Sequence, residues 1–286
     1  MKVSDMYVSG KTVLSFEVFP PKSTSPIETI YNTLESLCDL DPAYISVTYG
    51  AAGGAKSHCC EIASRIRNVH GIEPVAHLTC VSNTKEQISS ILNDFDSNGI
   101  ENVLALRGDI IPGQPRCTDF MYANELTAFI KEQHPDFDVC GACYPEVHVE
   151  SENEIDDILN LKKKVEAGAS HLISQLFFDN NFFYSFLQKA RIAGINVPVA
   201  AGIMPVMKKQ QIERMVSTCG ASLPPKFSKM MQKYADNPEA LRDAGIAYAV
   251  NQIVDLISNG VDGIHIYTMN NPYVARAIYD SIKSLL

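Results

Sequence analysis

The chain has 286 residues, 46% of them hydrophobic and 20% charged, with a formal net charge of −9. Such a composition can bury a large core, while the acidic balance excludes nucleic acid as the main partner, because phosphate binding needs a basic face. No apolar stretch approaches the roughly 20 residues of a membrane helix, and residues 1–11 lack the basic-then-apolar order of a secretory signal. A cytoplasmic protein with no membrane partner is therefore expected.

Along the chain, short β-type runs alternate with helical patterns. Residues 13–19 make the first run, closed by Pro20-Pro21. A helix is predicted at 26–37 behind Ser23-Thr24-Ser25, with Pro26 suited to its first position. The second run, 44–49, stops at Gly50 and precedes a helix at 57–69. Runs at 74–80 and 102–106 follow, leading into helices at 85–95 and 120–132. The fifth and sixth runs, 139–144 and 171–178, precede helices at 154–167 and 181–193. Gly99, Gly168 and Gly194 each stand just past a helix, where a left-handed cap is expected.

The seventh run, 197–203, is followed by a helix at 210–217. An insertion then carries Pro224-Pro225 and two more helical stretches, 226–234 and 238–258. The last run, 263–268, leads into a helix at 272–285. Several runs, such as Val75-Ala76-His77-Leu78, are almost wholly apolar or small, as strands buried on both faces require. Eight such units predict an α/β fold of the (β/α)8 TIM-barrel type, with an extra helical insertion between the seventh and eighth strands. A barrel of this kind takes about 250 residues, so 1–286 reads as a single domain. Closure would gather the strand ends, near Glu17, Thr48, His77, Asp109, Tyr144, Gln175, Met204 and Tyr267, at one rim.

Those ends carry the chemically suggestive residues. Glu17 sits inside an apolar strand, an expensive place for a charge. Burial there would raise its pKa and suit it to donate a proton at neutral pH; a neighbouring strand could instead simply satisfy it. In Arg107-Gly108-Asp109, the glycine permits close backbone approach to a ligand, although Arg107 and Asp109 could equally form a local ion pair. His77 alone reads more readily as a core histidine than as a catalyst. Cys140 and Cys143 form a C-x-x-C, but within a strand residues three apart point to opposite faces, so no metal is predicted. A G-x-G-x-x-G fingerprint is absent, so any dinucleotide would be held without a Rossmann site.

Four motifs taken together resemble methylenetetrahydrofolate reductases: Phe16-Glu17-Val18-Phe19-Pro20-Pro21, Val47-Thr48-Tyr49-Gly50-Ala51, Leu106-Arg107-Gly108-Asp109 and Tyr144-Pro145-Glu146-Val147-His148. His77 in Ala76-His77-Leu78-Thr79-Cys80 and Gln175 in Ser174-Gln175-Leu176-Phe177-Phe178 extend the likeness over most of the chain. The resemblance implies an FAD-dependent reductase that converts 5,10-methylenetetrahydrofolate to 5-methyltetrahydrofolate. It makes Glu17 the acid that protonates N10 of the folate. Asp109 would lie near the flavin and the folate, disfavouring anionic reduced flavin and stabilising a cationic iminium. Thr48, Tyr49, Ala51, His77, Arg107, Gly108, Asp109, Tyr122, Ala123, Tyr144, His148, Asp157, Asn160, Lys163 and Lys164 match positions that hold FAD. Asp157, Asn160, Lys163 and Lys164 fall at helical spacings, so part of one face could run beside the dinucleotide, with Lys164 on its phosphates. Gln175, Gln211, Met215 and Tyr267 match substrate contacts.

Two positions depart from the pattern. Met215 stands where some members place a phenylalanine. Asn271 stands where some have an arginine suited to the folate glutamate, for which Arg276 is one substitute. NADH is the expected electron donor, with NADPH or an electron-transfer partner protein as alternatives, and a homo-oligomer is expected. Two other classes stay open at this stage: a folate-binding methyltransferase barrel acting on a corrinoid, and a non-catalytic barrel subunit of a larger complex.

Overall fold

The alternation of apolar runs and amphipathic segments produces eight strands and ten helices among the described residues of the computed structural model, which are 1–8, 10–22, 24–49, 56–110, 113 and 116–286. In chain order these are β1 (Val13–Val18), α1 (Glu28–Cys38), β2 (Tyr44–Val47), α2 (Lys56–His70), β3 (Glu73–Thr79), α3 (Lys85–Ser97) and β4 (Asn102–Leu106). There follow α4 (Ala123–Gln133), β5 (Asp138–Cys143), α5 (Glu154–Glu166), β6 (Ala169–Ser174), α6 (Asn180–Ile192) and β7 (Val199–Ile203). The chain ends with α7 (Lys209–Cys219), α8 (Pro225–Lys233), α9 (Pro238–Ser258), β8 (Gly263–Tyr267) and α10 (Pro272–Ile282). Each strand pairs in parallel with the next, and β8 closes on β1 with Tyr267 opposite Glu17. The (β/α)8 barrel is therefore present, and α8 and α9 form the extra helices between β7 and β8. No helix of the described residues is long and apolar enough to cross a membrane.

Two layers of apolar side chains hold the barrel. Outward-facing residues such as Phe16, Ile45, Leu78, Val103 and Ile264 pack against the helices in the largest buried cluster. Inward-facing Val13, Tyr44, Val75, Leu104, Cys140, Ile173 and Ala200 fill the bore, and Val3 plugs its amino-terminal end. The plug is tied down by Val3 N–H donating to Asn102 Oδ1 (2.9 Å) and Ser4 N–H to Asp138 Oδ2 (2.8 Å). Cys140 lies in the bore cluster and Cys143 in the outer one, so the two thiols of the C-x-x-C do face opposite sides of β5.

Local signals set the helix ends. Thr84 and Gln87 form a reciprocal capping box on α3, and Asn153, Asn237 and Asn271 cap α5, α9 and α10. Gly99, Gly168 and Gly194 have φ of 72°, 119° and 86°, as expected past helices. Several boundaries differ from the sequence reading by one to four residues, those of the first helix and the sixth strand among them. Pro26 precedes the helix, which begins at Glu28 behind Ile27. The sixth strand ends at Ser174 and not at 178, because Leu176 and Phe178 leave the sheet for a second apolar cluster with Met204, Val206 and Phe227. There the Phe178 and Phe227 rings stack at 4.5 Å, seating α8 over the β6–β7 side of the rim.

Polar residues also lie in the bore. His171 is fully buried, with Nδ1 3.7 Å from Asp138 Oδ2 and 3.1 Å from Ser170 Oγ. Burial pushes its pKa from 6.5 down to about 4. The imidazole is therefore neutral in the folded chain, whereas the unfolded chain takes up a proton below about pH 6.5. Between those values the unfolded state binds more protons, so stability falls as pH drops, by up to about 1.4 kcal/mol per pH unit for one such group. Chemical denaturation at pH 7, 6 and 5 should show this loss, and His171→Asn should flatten the slope. An unchanged slope in the variant contradicts the assignment.

Candidate active site

Closure brings the carboxyl ends of all eight strands around one cavity of about 550 Å3. Its lining includes Glu17 from β1, Thr48 and Tyr49 after β2, His77 from β3, and Arg107, Gly108 and Asp109 after β4. Ala142, Tyr144, His148, Gln175, Met204 and Tyr267 complete the far wall. Most of the residues picked from the sequence thus meet at one place. Tyr122, Ala123, Asp157, Asn160 and Lys163 do not line the cavity; they lie beyond it, at the start of α4 and along α5. Ala51 lies outside the described residues, as do the side chains of Gln211 and Met215 on α7.

Glu17 sits between two imidazoles. Its Oε2 is 3.5 Å from His77 Nε2 and 3.8 Å from His265 Nε2, and the carboxylate side chain is 18% exposed. His265 is held by Ser15 Oγ at its Nδ1 (2.8 Å) and by Ser46 Oγ at its Nε2 (3.3 Å). Burial pushes the His77 pKa down to about 4, so His77 brings no positive charge to Glu17 at neutral pH. The Nε2 of His77 is buried without a hydrogen-bond partner, an expensive condition that a ligand in the cavity would relieve. His265 and Ser15 were missed in the sequence. Strand alternation held the signal, since His265 shares a face with Tyr267 and Ser15 shares one with Glu17.

On the far wall, Tyr267 donates its hydroxyl hydrogen to the Ser174 carbonyl at 2.7 Å. Gly202 makes room for this: a Cβ there would lie 2.2 Å from that carbonyl oxygen and 2.7 Å from the hydroxyl. Tyr267 therefore builds the wall with its ring, and its hydroxyl is already engaged. Gln175 turns its Oε1 back to accept from Leu176 N–H at 2.9 Å, leaving its amide N–H groups for the cavity. His148 accepts from Glu150 N–H at Nδ1 (3.1 Å), so its proton sits on Nε2, and its ring meets Tyr144 edge-on at 4.6 Å. Burial lowers the His148 pKa, which keeps it neutral.

Three cations behave differently from the sequence reading. Arg107 does not pair with Asp109; its Nη1 and Nη2 grip the Glu150 carboxylate at 2.5 and 2.6 Å. Lys164 turns inward and donates to the Ala142 carbonyl at 2.5 Å, its stem passing over Gly141, where a Cβ would come within 2.8 Å. Arg276 faces α1, donating to the Ser36 carbonyl at 3.5 Å and lying 3.9 Å from Asp39, so it does not serve the rim. Asn271 caps α10 and donates to Met207 Sδ at 3.3 Å.

A closed parallel barrel whose ionisable side chains converge on one rim cavity has the layout of a barrel enzyme. A sequence model described as methylenetetrahydrofolate reductase matches residues 2–283. The 5,10-methylenetetrahydrofolate reductase of Escherichia coli (strain K12) is 36% identical over 271 residues, covering 95% of this chain and 90% of that protein. Methylenetetrahydrofolate reductase (NADH) 1 of Arabidopsis thaliana is 35% identical over 283 residues, covering 94% of this chain and 48% of that protein. Among solved structures, an uncharacterized Clostridium thermocellum protein that binds two copies of 5-methyl-5,6,7,8-tetrahydrofolic acid matches with a TM-score of 0.66. It covers 99% of this chain and 97% of its own, and at 13% identity that likeness concerns the fold alone. The chain belongs to the methylenetetrahydrofolate reductase family and is an oxidoreductase of that family. Membership supports reduction of methylenetetrahydrofolate as its reaction.

The tight packing at Gly202 yields a direct check. Gly202→Ala should destabilise the fold by about 1–3 kcal/mol through overpacking against the Ser174 carbonyl. Tyr267→Phe, which keeps the ring, should retain the cavity. Equilibrium unfolding measures both, and a Gly202→Ala variant of undiminished stability contradicts the packing described.

Proposed function

We propose that this chain reduces 5,10-methylenetetrahydrofolate to 5-methyltetrahydrofolate, with FAD held at the rim and a reduced nicotinamide as electron donor. The observation that carries this reading is Glu17 between two imidazoles, opening with the unpartnered His77 Nε2 into a cavity built by all eight strand ends. The cavity falls within the roughly 300–1,000 Å3 of small-molecule sites. Its donor set suits a flavin edge: a neutral imidazole on either side, a threonine hydroxyl, and the backbone beside Gly108, whose φ is 86°. A Cβ at Gly108 would come within 3.0 Å of Thr79 and Val81, so only glycine lets the chain pass here.

Thr48, Tyr49, His77, Arg107, Gly108, Asp109, Tyr144 and His148 would hold the flavin ring and its immediate chain. Ala51, Tyr122, Ala123, Asp157, Asn160, Lys163 and Lys164 would serve the rest of the dinucleotide. For Lys164 this requires the ammonium to leave the Ala142 carbonyl, and burial already lowers its pKa. FAD, when bound, supplies two-electron chemistry between the nicotinamide and the exocyclic carbon of the folate.

The protein's own groups do the rest. Glu17 holds a proton for N10, the nitrogen released as the five-membered ring of the folate opens. His77 and His265 flank that carboxyl group, with their Nε2 atoms 3.5 and 3.8 Å from its Oε2. Asp109 places negative charge where the opened folate becomes cationic. Gln175, with Gln211 and Met215 from α7, would orient the pterin edge, and the Tyr267 ring would limit the pocket. NADH is the favoured donor, in keeping with the name of the plant relative.

Glu17→Gln should lose roughly 10²–10⁴-fold in folate reduction while the purified protein keeps its flavin absorbance and its reduction by NADH. Full turnover by that variant removes Glu17 from the chemistry. Asp109→Asn should raise the flavin midpoint potential and slow folate reduction; an unchanged potential contradicts the electrostatic role.

A further inference from the structure

The segment after β5 is held more firmly than a surface loop needs to be. Val147 adopts φ of 70°, a left-handed backbone that a β-branched residue takes only when its surroundings impose it. On one side of it, Glu146 accepts a hydrogen bond from Ser222 N–H at 2.9 Å. On the other, His148 Nδ1 accepts from Glu150 N–H, and the Glu150 carboxylate takes both ends of the Arg107 fork. Glu150, three residues past Val147, thus sits on a segment anchored on both sides and pairs with Arg107.

Arg107 has a second carboxylate within electrostatic reach, Asp109, two residues along its own loop. Nevertheless its paired Nη donors go to Glu150, and its Nε donates to the Gly108 carbonyl at 3.3 Å. Asp109 makes no ion pair and no hydrogen bond among the described residues, although it lines the cavity. A planar guanidinium gripped bidentately is geometrically committed in a way that a single-point contact is not.

We propose that Glu150 is a positioning residue: by holding the Arg107 fork it keeps the guanidinium off Asp109, so that Asp109 faces the cavity as an unneutralised negative charge. The placement of Arg107 stands on this geometry alone. Its consequence for folate reduction rests on the function proposed above. Without Glu150, Arg107 turns to Asp109 and cancels the charge that disfavours anionic reduced flavin and stabilises a cationic folate.

The test uses Glu150→Gln and Glu150→Asp in the full chain, with and without FAD. A crystal structure of the Glu150→Gln protein should show Arg107 paired with Asp109, and one with Arg107 still directed away from Asp109 overturns the proposal. In the FAD-loaded enzyme, Glu150→Gln should shift the flavin potential positive and slow folate-dependent reoxidation roughly tenfold, and Glu150→Asp should restore both. Added to Asp109→Asn, Glu150→Gln should change neither quantity further, since a residue acting through Asp109 has nothing left to act on. An additive effect, or a wild-type potential in Glu150→Gln, also overturns it. A wild-type chain that takes up no flavin defeats the proposed function instead, and the crystal structure then decides the placement of Arg107 by itself.

Discussion

Pairing of β1 with β8 is the constraint on which the rest of the molecule depends. It sets Glu17 opposite Tyr267 and brings the β8 imidazole of His265 to 3.8 Å from the Glu17 carboxylate. Neither end of the chain contains this arrangement by itself. A carboxyl group and two largely buried imidazoles carry a desolvation cost that an isolated βα unit could not meet. The closed barrel offsets it with two continuous apolar layers, one in the bore and one beneath the helices. Stability of the fold and assembly of the site are for this reason the same event.

Around that centre, small residues and backbone carbonyls decide what a side chain is free to do. Gly202 admits the Tyr267 hydroxyl to the Ser174 carbonyl, and Gly141 lets the Lys164 stem reach Ala142. Both contacts fix walls and leave fewer groups facing the cavity. The polar residues that line the cavity include Glu17, Thr48, Tyr49, His77, Asp109, His148 and Gln175. The two cavity imidazoles are kept neutral by burial, so the histidines bring no positive charge to the rim beside Asp109. Such a rim suits a reaction in which the substrate passes through a cation.

Much of this was legible in the sequence, for identifiable reasons. Strand ends are readable because apolar runs buried on both faces stop abruptly at polar residues, which placed Glu17, Thr48, His77, Asp109, Tyr144 and Gln175 at the rim. The run through Phe178 misled because Leu176–Phe178 is apolar for a different purpose, the packing of α8. His265 was overlooked because a histidine between isoleucines carries no mark of its neighbours until β8 meets β1. Periodicity placed Lys164 on the α5 face but could not foresee that the absence of a side chain at Gly141 opens a route inward. The partner of Arg107 was equally hidden, since Glu150 lies 43 residues along the chain, on the segment just past the left-handed Val147.

The central claim is that barrel closure places Glu17, His77, Asp109 and Gln175 around one shared flavin and folate position. A crystal structure of the protein with FAD and 5-methyltetrahydrofolate bound together tests it most directly. The account predicts the isoalloxazine ring within hydrogen-bond reach of His77 Nε2, and the folate N10 facing Glu17. Ligands seated away from the rim, or a folate whose N10 lies out of reach of Glu17, would contradict it.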